Sequence, residues 1–285
     1  MASSDRATYW LRGQAFAHRG LHRAGGPGPE NTLAAVRAAI HAGFGIEIDV
    51  RPAKDGAVMM FHDETLTRLC GRDDYICALS SRELSAISIA ETDQTIAKLS
   101  DVLEEISGEV PLLIEMKRLS GRAGEPSLSS FCSNIRAALE GYRGPVAVMS
   151  FDPRLIRWFR EHAPTITRGL VATTHTGRKP ANWRFSALWH LYLAMREKVD
   201  FVAYDIRSLP LWSAYWLRKR GCAILTWTVK SERAEQRARV NADGLIFERP
   251  LDPDPEWFAS DELNTDPVLP SDPKKASTRF PGDDG

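Results

Sequence analysis

The sequence predicts an α/β fold, a (β/α)8 TIM barrel with a short inserted segment after its second strand and a loose C-terminal tail. Three observations predict it. Short apolar runs alternate with longer helix-like segments from end to end, the pattern of βαβ crossovers around a parallel sheet. Eight such units span about 235 residues, the size of one closed barrel. No GxGxxG follows a strand, which disfavours the doubly wound open sheet.

The elements follow in order. Ala15–Ala17 is the first run, and a helix runs from Asn31 or Thr32 to Ala42. Ile46–Val50 is β-branched and bounded by Gly45 and Pro52, and Val58–Phe61 reads as a short extra strand. Arg82–Ser88 and Asp101–Ile106 are short helical candidates, the second with Ser100 as its N-cap. Leu112–Met116 is the third barrel run, and a helix follows near Ser129–Leu139. Val146–Met149 leads into Asp152-Pro153, an acidic cap with proline in the first turn of the next helix. The second half repeats the rhythm. Arg168–Ala172, Phe201–Tyr204, Ala223–Val229 and Leu245–Phe247 are runs, and Phe185–Glu197, Trp212–Lys219 and Ser231–Val240 are helices.

Residues 1–14 then form an N-terminal extension, 15–251 the barrel, and 252–285 a tail. The tail holds six prolines, nine acids and three bases, too few apolar residues for a core of its own. Without it the chain carries a modest net charge of +6, which suits an anionic ligand. The whole chain balances 37 Lys and Arg against 37 Asp and Glu, so it has no electrostatic footprint for nucleic acid. The longest strongly apolar stretch free of charge, Phe185–Met195, is 11 residues, well short of the roughly 18 a membrane span needs. The N-terminus has no secretory apolar region, and Cys70, Cys77, Cys132 and Cys222 make no CxxC pair. A cytoplasmic location is the simplest expectation. Trp183, Trp189, Trp212 and Trp216 sit in an aromatic-rich segment, either an apolar rim facing a lipid-like substrate or membrane surface, or an outer helix packed on the barrel. Oligomeric state is left open.

The chemistry concentrates in the first third. His18-Arg19-Gly20 ends the first strand, and His62-Asp63 closes the short extra one. Glu47 and Asp49 are two apart on the second barrel strand, as are Glu115 and Lys117 on the third, so each pair faces one way. Inward side chains near strand carboxyl ends line the mouth of a barrel. Three carboxylates there repel one another and call for a cation, and all-oxygen ligands suit Ca²⁺ or Mg²⁺ rather than zinc. Elsewhere the residues are ambiguous. Asn31 either caps the first helix or reaches into the mouth. Trp227 either covers a ligand or packs on the barrel. Asp205 and Glu248 read as structural salt bridges, and Ser150 as a helix-start residue rather than a nucleophile. His22 and Arg23 lie in a glycine-rich loop past the first strand. His41, His162, His175 and His190 read as surface or packing residues.

At these motifs the sequence resembles the glycerophosphodiester phosphodiesterases. AHRG (Ala17–Gly20), PENT (Pro29–Thr32), EIDV (Glu47–Val50), Asp55-Gly56, HDETLTRLCG (His62–Gly71) and LLIEMK (Leu112–Lys117) fall in that family's order. SFDP (Ser150–Pro153), LTWTV (Leu225–Val229) and DGLIFERP (Asp243–Pro250) match its later strands more loosely. The resemblance implies that Glu47, Asp49 and Glu115 hold one divalent cation, Ca²⁺ or Mg²⁺. It implies that His18 and His62 are the general acid/base pair, and that Arg19 and Lys117 contact the phosphate. Trp227 is the candidate cover for the glycerol or leaving group. The expected reaction is metal-dependent hydrolysis of a small glycerophosphodiester to glycerol 3-phosphate and an alcohol. The alternatives are lysophospholipase D-like or phospholipase C-like action on a lipid phosphodiester, and a non-catalytic phosphate-binding barrel. No nucleic acid and no transmembrane span are expected; peripheral membrane contact stays open.

Overall fold

The structure is a computed structural model that describes residues 8–22, 28–176, 179–180 and 183–248. Arg23 and the tail from Asp252 onward lie outside the described residues.

Among the described residues there are eleven strands: β1 (Ala15–His18), β2 (Gly45–Pro52), β3 (Val58–Met60), β4 (Leu112–Met116), β5 (Val146–Ser150), β6 (Thr167–Ala172), the two-residue β7 (His175–Thr176) and β8 (Lys179–Pro180), β9 (Phe201–Asp205), β10 (Ala223–Val229) and β11 (Gly244–Phe247). Eight are parallel in the order β1, β11, β10, β9, β6, β5, β4, β2, and β1 pairs again with β2, so the sheet closes on itself. The extra strand β3 pairs antiparallel with β2, and β7 and β8 make a separate hairpin. The helices are α1 (Leu33–His41), α2 (Thr67–Cys70), α3 (Ser81–Leu84), α4 (Leu99–Ile106), α5 (Leu128–Ala138), α6 (Pro153–His162), α7 (Trp183–Glu197), α8 (Trp212–Lys219) and α9 (Glu232–Asn241). This is the expected barrel, with all eight strand runs in place.

Helix starts follow local chemistry. Thr32 caps α1 by accepting from the Ala35 N–H, and Asp152 caps α6 ahead of Pro153. Two boundaries differ from expectation. Helix α4 begins two residues early, because Asp101 reaches back to the Lys98 N–H and Ser100 is already inside the first turn. The helix expected over Arg82–Ser88 is a single turn, Ser81–Leu84, started by a capping box of Ser80 and Glu83.

The barrel interior is filled by Leu11, Phe16, Leu113, Ala147, Met149, Val171, Phe201, Ala203, Ala223, Leu225 and Ile246. Gly45 makes room for one of these rings, since a Cβ there would stand 2.6 Å from the Phe16 ring. Fully burying such a phenyl ring contributes roughly 2–3 kcal/mol. A larger apolar layer joins strands to helices, and a third cluster, including Phe61, Leu66, Ile76 and Ile89, supports the inserted segment after β3. The interior packing is apolar below, which leaves the polar residues of β1, β2 and β4 at the carboxyl ends.

Candidate active site

Strand register decides which of these polar groups meet. Ala17 lies opposite Ile46, and His18 opposite Glu47. One strand further, Asp49 lies level with Glu115. The three carboxylates Glu47, Asp49 and Glu115 are all buried, and each offers an oxygen within 4.8 Å of the others. Every sequence-predicted metal ligand is therefore in one cluster.

The backbone around the cluster is unusual. Arg19 and Asn31 both adopt left-handed conformations, with φ of 57° and 50°. Neither is glycine, so each costs about 1 kcal/mol or more and is held there by its surroundings. The bend turns the Arg19 N–H onto Glu47 Oε2 at 3.0 Å. Gly20 follows at φ 80°, and its missing side chain lets the turn lie against Ala35, which a Cβ would meet at 2.8 Å. The Asn31 side chain binds Asp49 twice, donating from Nδ2 to Oδ2 at 2.9 Å and accepting from the Asp49 N–H at 3.1 Å. Asn31 thus reaches into the mouth, and Thr32 is the cap.

Charge in the cluster is unevenly matched. Lys117 Nζ lies 2.7 Å from Asp49 Oδ1 and also pairs with Glu115, and Arg19 Nε lies 3.1 Å from Asp49 Oδ2. Burial alone would raise the Asp49 pKa, but these two cations outweigh it and hold the carboxyl well below its ordinary range. Glu47 has no such partner: burial, then the neighbouring Asp49, push its pKa up to about 7. Burial likewise raises Glu115, with Lys117 opposing. Glu47 Oε1 is buried with no hydrogen-bond partner. A buried, unpaired carboxylate oxygen beside two further carboxylates is a poor arrangement for protons and a good one for a hard divalent cation. The residues present fit such an ion.

Two imidazoles neighbour the cluster: His18 faces Glu47, and His62 interacts electrostatically with Asp49. His18 Nε2 lies 4.0 Å from Glu47 Oε2, while His18 Nδ1 meets Glu248 Oε2 at 3.1 Å. Burial would lower the His18 pKa, but Glu248 and then Glu47 more than offset it, so it is raised. His62 is lowered, first by burial and further by Lys117 and Arg19, against the pull of Asp49. His62 Nδ1 meets Asp63 Oδ1 at 2.6 Å, and Arg68 Nε holds the other Asp63 oxygen at 2.6 Å. Arg68 also grips Glu30, which in turn pairs with Arg19.

Two residues exceed their expected roles. Glu248 does make a salt bridge, to Lys230 Nζ at 2.8 Å, but the same oxygen also contacts His18. The register of β1 on β11 pairs Ala17 with Phe247, so the next residues, His18 and Glu248, leave the strands side by side. Glu30, the second residue of the PENT motif, links Arg19 to Arg68. Its signal is its place beside Asn31 at the start of α1. Asp205 pairs with Arg207 as expected, whereas Ser150 closes β5 instead of starting the helix: its hydroxyl bridges the Met116 carbonyl and the Asp152 N–H, and Asp152 is the helix cap. Trp227 is half-buried: its Nε1 donates to the Ala203 carbonyl, and its ring meets Phe151 edge-on at 5.5 Å. His22 is near the mouth with Nε2 buried and unpartnered.

The chain is similar over most of its length to known proteins. It is 27% identical over 244 residues to the glycerophosphodiester phosphodiesterase of Caldanaerobacter subterraneus subsp. tengcongensis, covering 82% of this chain and 93% of that one. It is 27% identical over 256 residues to mouse glycerophosphodiester phosphodiesterase 1, covering 77% and 72%. Among solved structures, the Thermotoga maritima glycerophosphodiester phosphodiesterase superposes with a TM-score of 0.65 at 26% identity, over 82% of this chain and 93% of that one. An Oleispira antarctica phosphodiesterase solved with sn-glycerol-3-phosphate shares the fold, with a TM-score of 0.71 at 22% identity over 85% and 94%. The glycerophosphoryl diester phosphodiesterase family model matches residues 18–252, from the first mouth histidine past the last barrel strand. With that span matched and the motif residues gathered at one mouth, the chain belongs to the glycerophosphoryl diester phosphodiesterase family.

Proposed function

We propose that this protein hydrolyses small glycerophosphodiesters to glycerol 3-phosphate and an alcohol, using one divalent cation, Ca²⁺ or Mg²⁺, and a pair of histidines. The observation that carries the reading is the buried trio Glu47, Asp49 and Glu115, with an unpaired Glu47 oxygen and His18 and His62 beside it. Those three carboxylates would hold the ion, which supplies Lewis-acid polarisation of a phosphate oxygen. Arg19 and Lys117 stand against the same cluster and would stabilise the negative charge that grows on the non-bridging oxygens. His18 and His62 would exchange protons, one taking from the attacking oxygen while the other gives to the leaving alcohol. Glu248 and Asp63 each engage a Nδ1 atom, which orients the rings and leaves Nε2 for that work, with His18 Nε2 facing Glu47 at 4.0 Å. The product in the Oleispira relative, sn-glycerol-3-phosphate, is the product expected here.

The edge-on pair of Phe151 and Trp227 favours a second reading. Phe151 is 45% exposed, so an apolar wall is open to ligand, as a lysophospholipid or another lipid phosphodiester would use. Among the described residues no helix is long and apolar enough to cross a membrane. The four free cysteines suit the reducing cytoplasm we propose as the location.

A substrate panel tests both readings. Release of glycerol 3-phosphate from glycerophosphocholine should vanish with EDTA and return with Ca²⁺ or Mg²⁺, and His18→Ala should reduce turnover at least ~100-fold. Full turnover after chelation would overturn the carboxylate assignment. Lysophospholipid outcompeting glycerophosphocholine would favour the lipid reading.

A further inference from the structure

Large apolar side chains left open to solvent are few, and most lie together. Nine are exposed among the described residues; five, Phe185, Leu188, Trp189, Tyr192 and Met195, are on α7, and a sixth, Trp216, is on α8 packed beside it. The five recur at helical spacing along one side of α7. Its other side is apolar too, with Ala187, Leu193 and Ala194 buried on the barrel. A barrel helix needs one apolar face; α7 has two, and clustered exposure of this kind marks an interaction surface.

The charges on this face have one sign. The only carboxylate on α7 or α8 is Glu197, whose side chain is 0% exposed and is held by Arg157, Arg160 and Arg196. Arg184, Arg196, Lys219 and Arg220 are exposed. Three of them lie near aromatic rings: Arg196 at 5.9 Å from the Tyr192 ring, Lys219 at 5.5 Å from the Tyr215 ring and Arg220 at 5.4 Å from the Trp216 ring. Trp189 and Tyr192 stack on each other at 5.5 Å.

We propose that the outer face of α7 and α8 docks on a bilayer bearing anionic phospholipid. Tryptophan and tyrosine favour the headgroup level, while phenylalanine, leucine and methionine enter the acyl boundary. Arginine and lysine extend their heads to lipid phosphates while their stems cover apolar surface. A second copy of the chain fits less well, because a two-fold contact through this face would set its cations against one another. Barrel helices run back from the strand carboxyl ends, so Phe185, Leu188 and Trp189 in the first half of α7 lie towards the mouth. Docking there brings the mouth close to the lipid.

Vesicle sedimentation of the full chain tests this. Vesicles of phosphatidylcholine with roughly 30 mol % phosphatidylserine should retain the protein at least tenfold better than phosphatidylcholine alone, and high salt should weaken retention. The double variant Phe185→Ser/Trp189→Ser should lose about tenfold in partitioning, as should Arg184→Glu/Arg220→Glu. Both should keep wild-type turnover of soluble glycerophosphocholine, which shows that they are folded. The proposal is overturned if the wild type does not sediment with anionic vesicles at low salt, if neutral vesicles retain it equally, or if both variants bind as the wild type does. A dimer abolished by the aromatic variant, with no vesicle binding, would assign the face to a second copy instead.

Discussion

Replacing Glu248 by Gln is the sharpest probe of how the site is built. The change keeps the side-chain size and removes the charge that faces His18 Nδ1 at 3.1 Å. The Glu248 carboxyl is held down to about 2, first by His18, with burial opposing and Lys230 contributing. A hydrogen bond to a charged acceptor contributes about 1.5–2 kcal/mol, or about 10- to 30-fold in rate. The loss belongs in kcat rather than KM, because the full strength of the contact is realised when the His18 ring carries a proton during turnover. Steady-state release of glycerol 3-phosphate under saturating divalent ion measures it, with thermal melting as the folding control. The expected result is kcat down about 10- to 30-fold, KM within about twofold and little change in Tm. Glu248→Asp, which keeps the charge but withdraws it by one methylene, should fall between. A folded Glu248→Gln enzyme with wild-type kcat would refute the positioning role and leave Glu248 as the salt-bridge partner of Lys230 alone.

Two further predictions concern stability. Glu197→Ala removes the buried carboxylate that joins Arg157, Arg160 and Arg196 at the end of α7, leaving Arg160 with Glu161 as its carboxylate partner. It should cost about 3 kcal/mol and lower Tm by roughly 6–12 °C in calorimetry, and an unchanged Tm would show the cluster to be solvated ornament. His190 is pushed down to about 4 by burial, with Nδ1 unpartnered and its ring near Tyr204. The folded state therefore keeps it neutral while the unfolded chain protonates near 6.5, so its contribution is complete above 6.5 and is lost as pH falls towards 4. That amounts to about 2–3 kcal/mol across the window, and His190→Phe should flatten the fall in urea-unfolding free energy there. Equal pH slopes for both proteins would place the His190 proton elsewhere.

The sequence by itself determined the barrel and the carboxylate trio. Alternation of apolar runs and helices is a local property, and the two-residue spacing of Glu47 and Asp49, and of Glu115 and Lys117, sets each pair on one face whatever the rest of the chain does. Tertiary structure alone decided what each of these groups touches. Glu248 meets His18 across 230 residues because sheet closure brings the last strand beside the first. Asn31 serves Asp49 rather than α1 because a left-handed backbone turns it inwards. Glu47 lacks the cation that Asp49 enjoys because Lys117 and Arg19 approach from the Asp49 side. Spacing along a chain fixes which way a side chain points, but hydrogen bonds and ion pairs depend on strand register and closure, and these are settled only when the whole sheet folds.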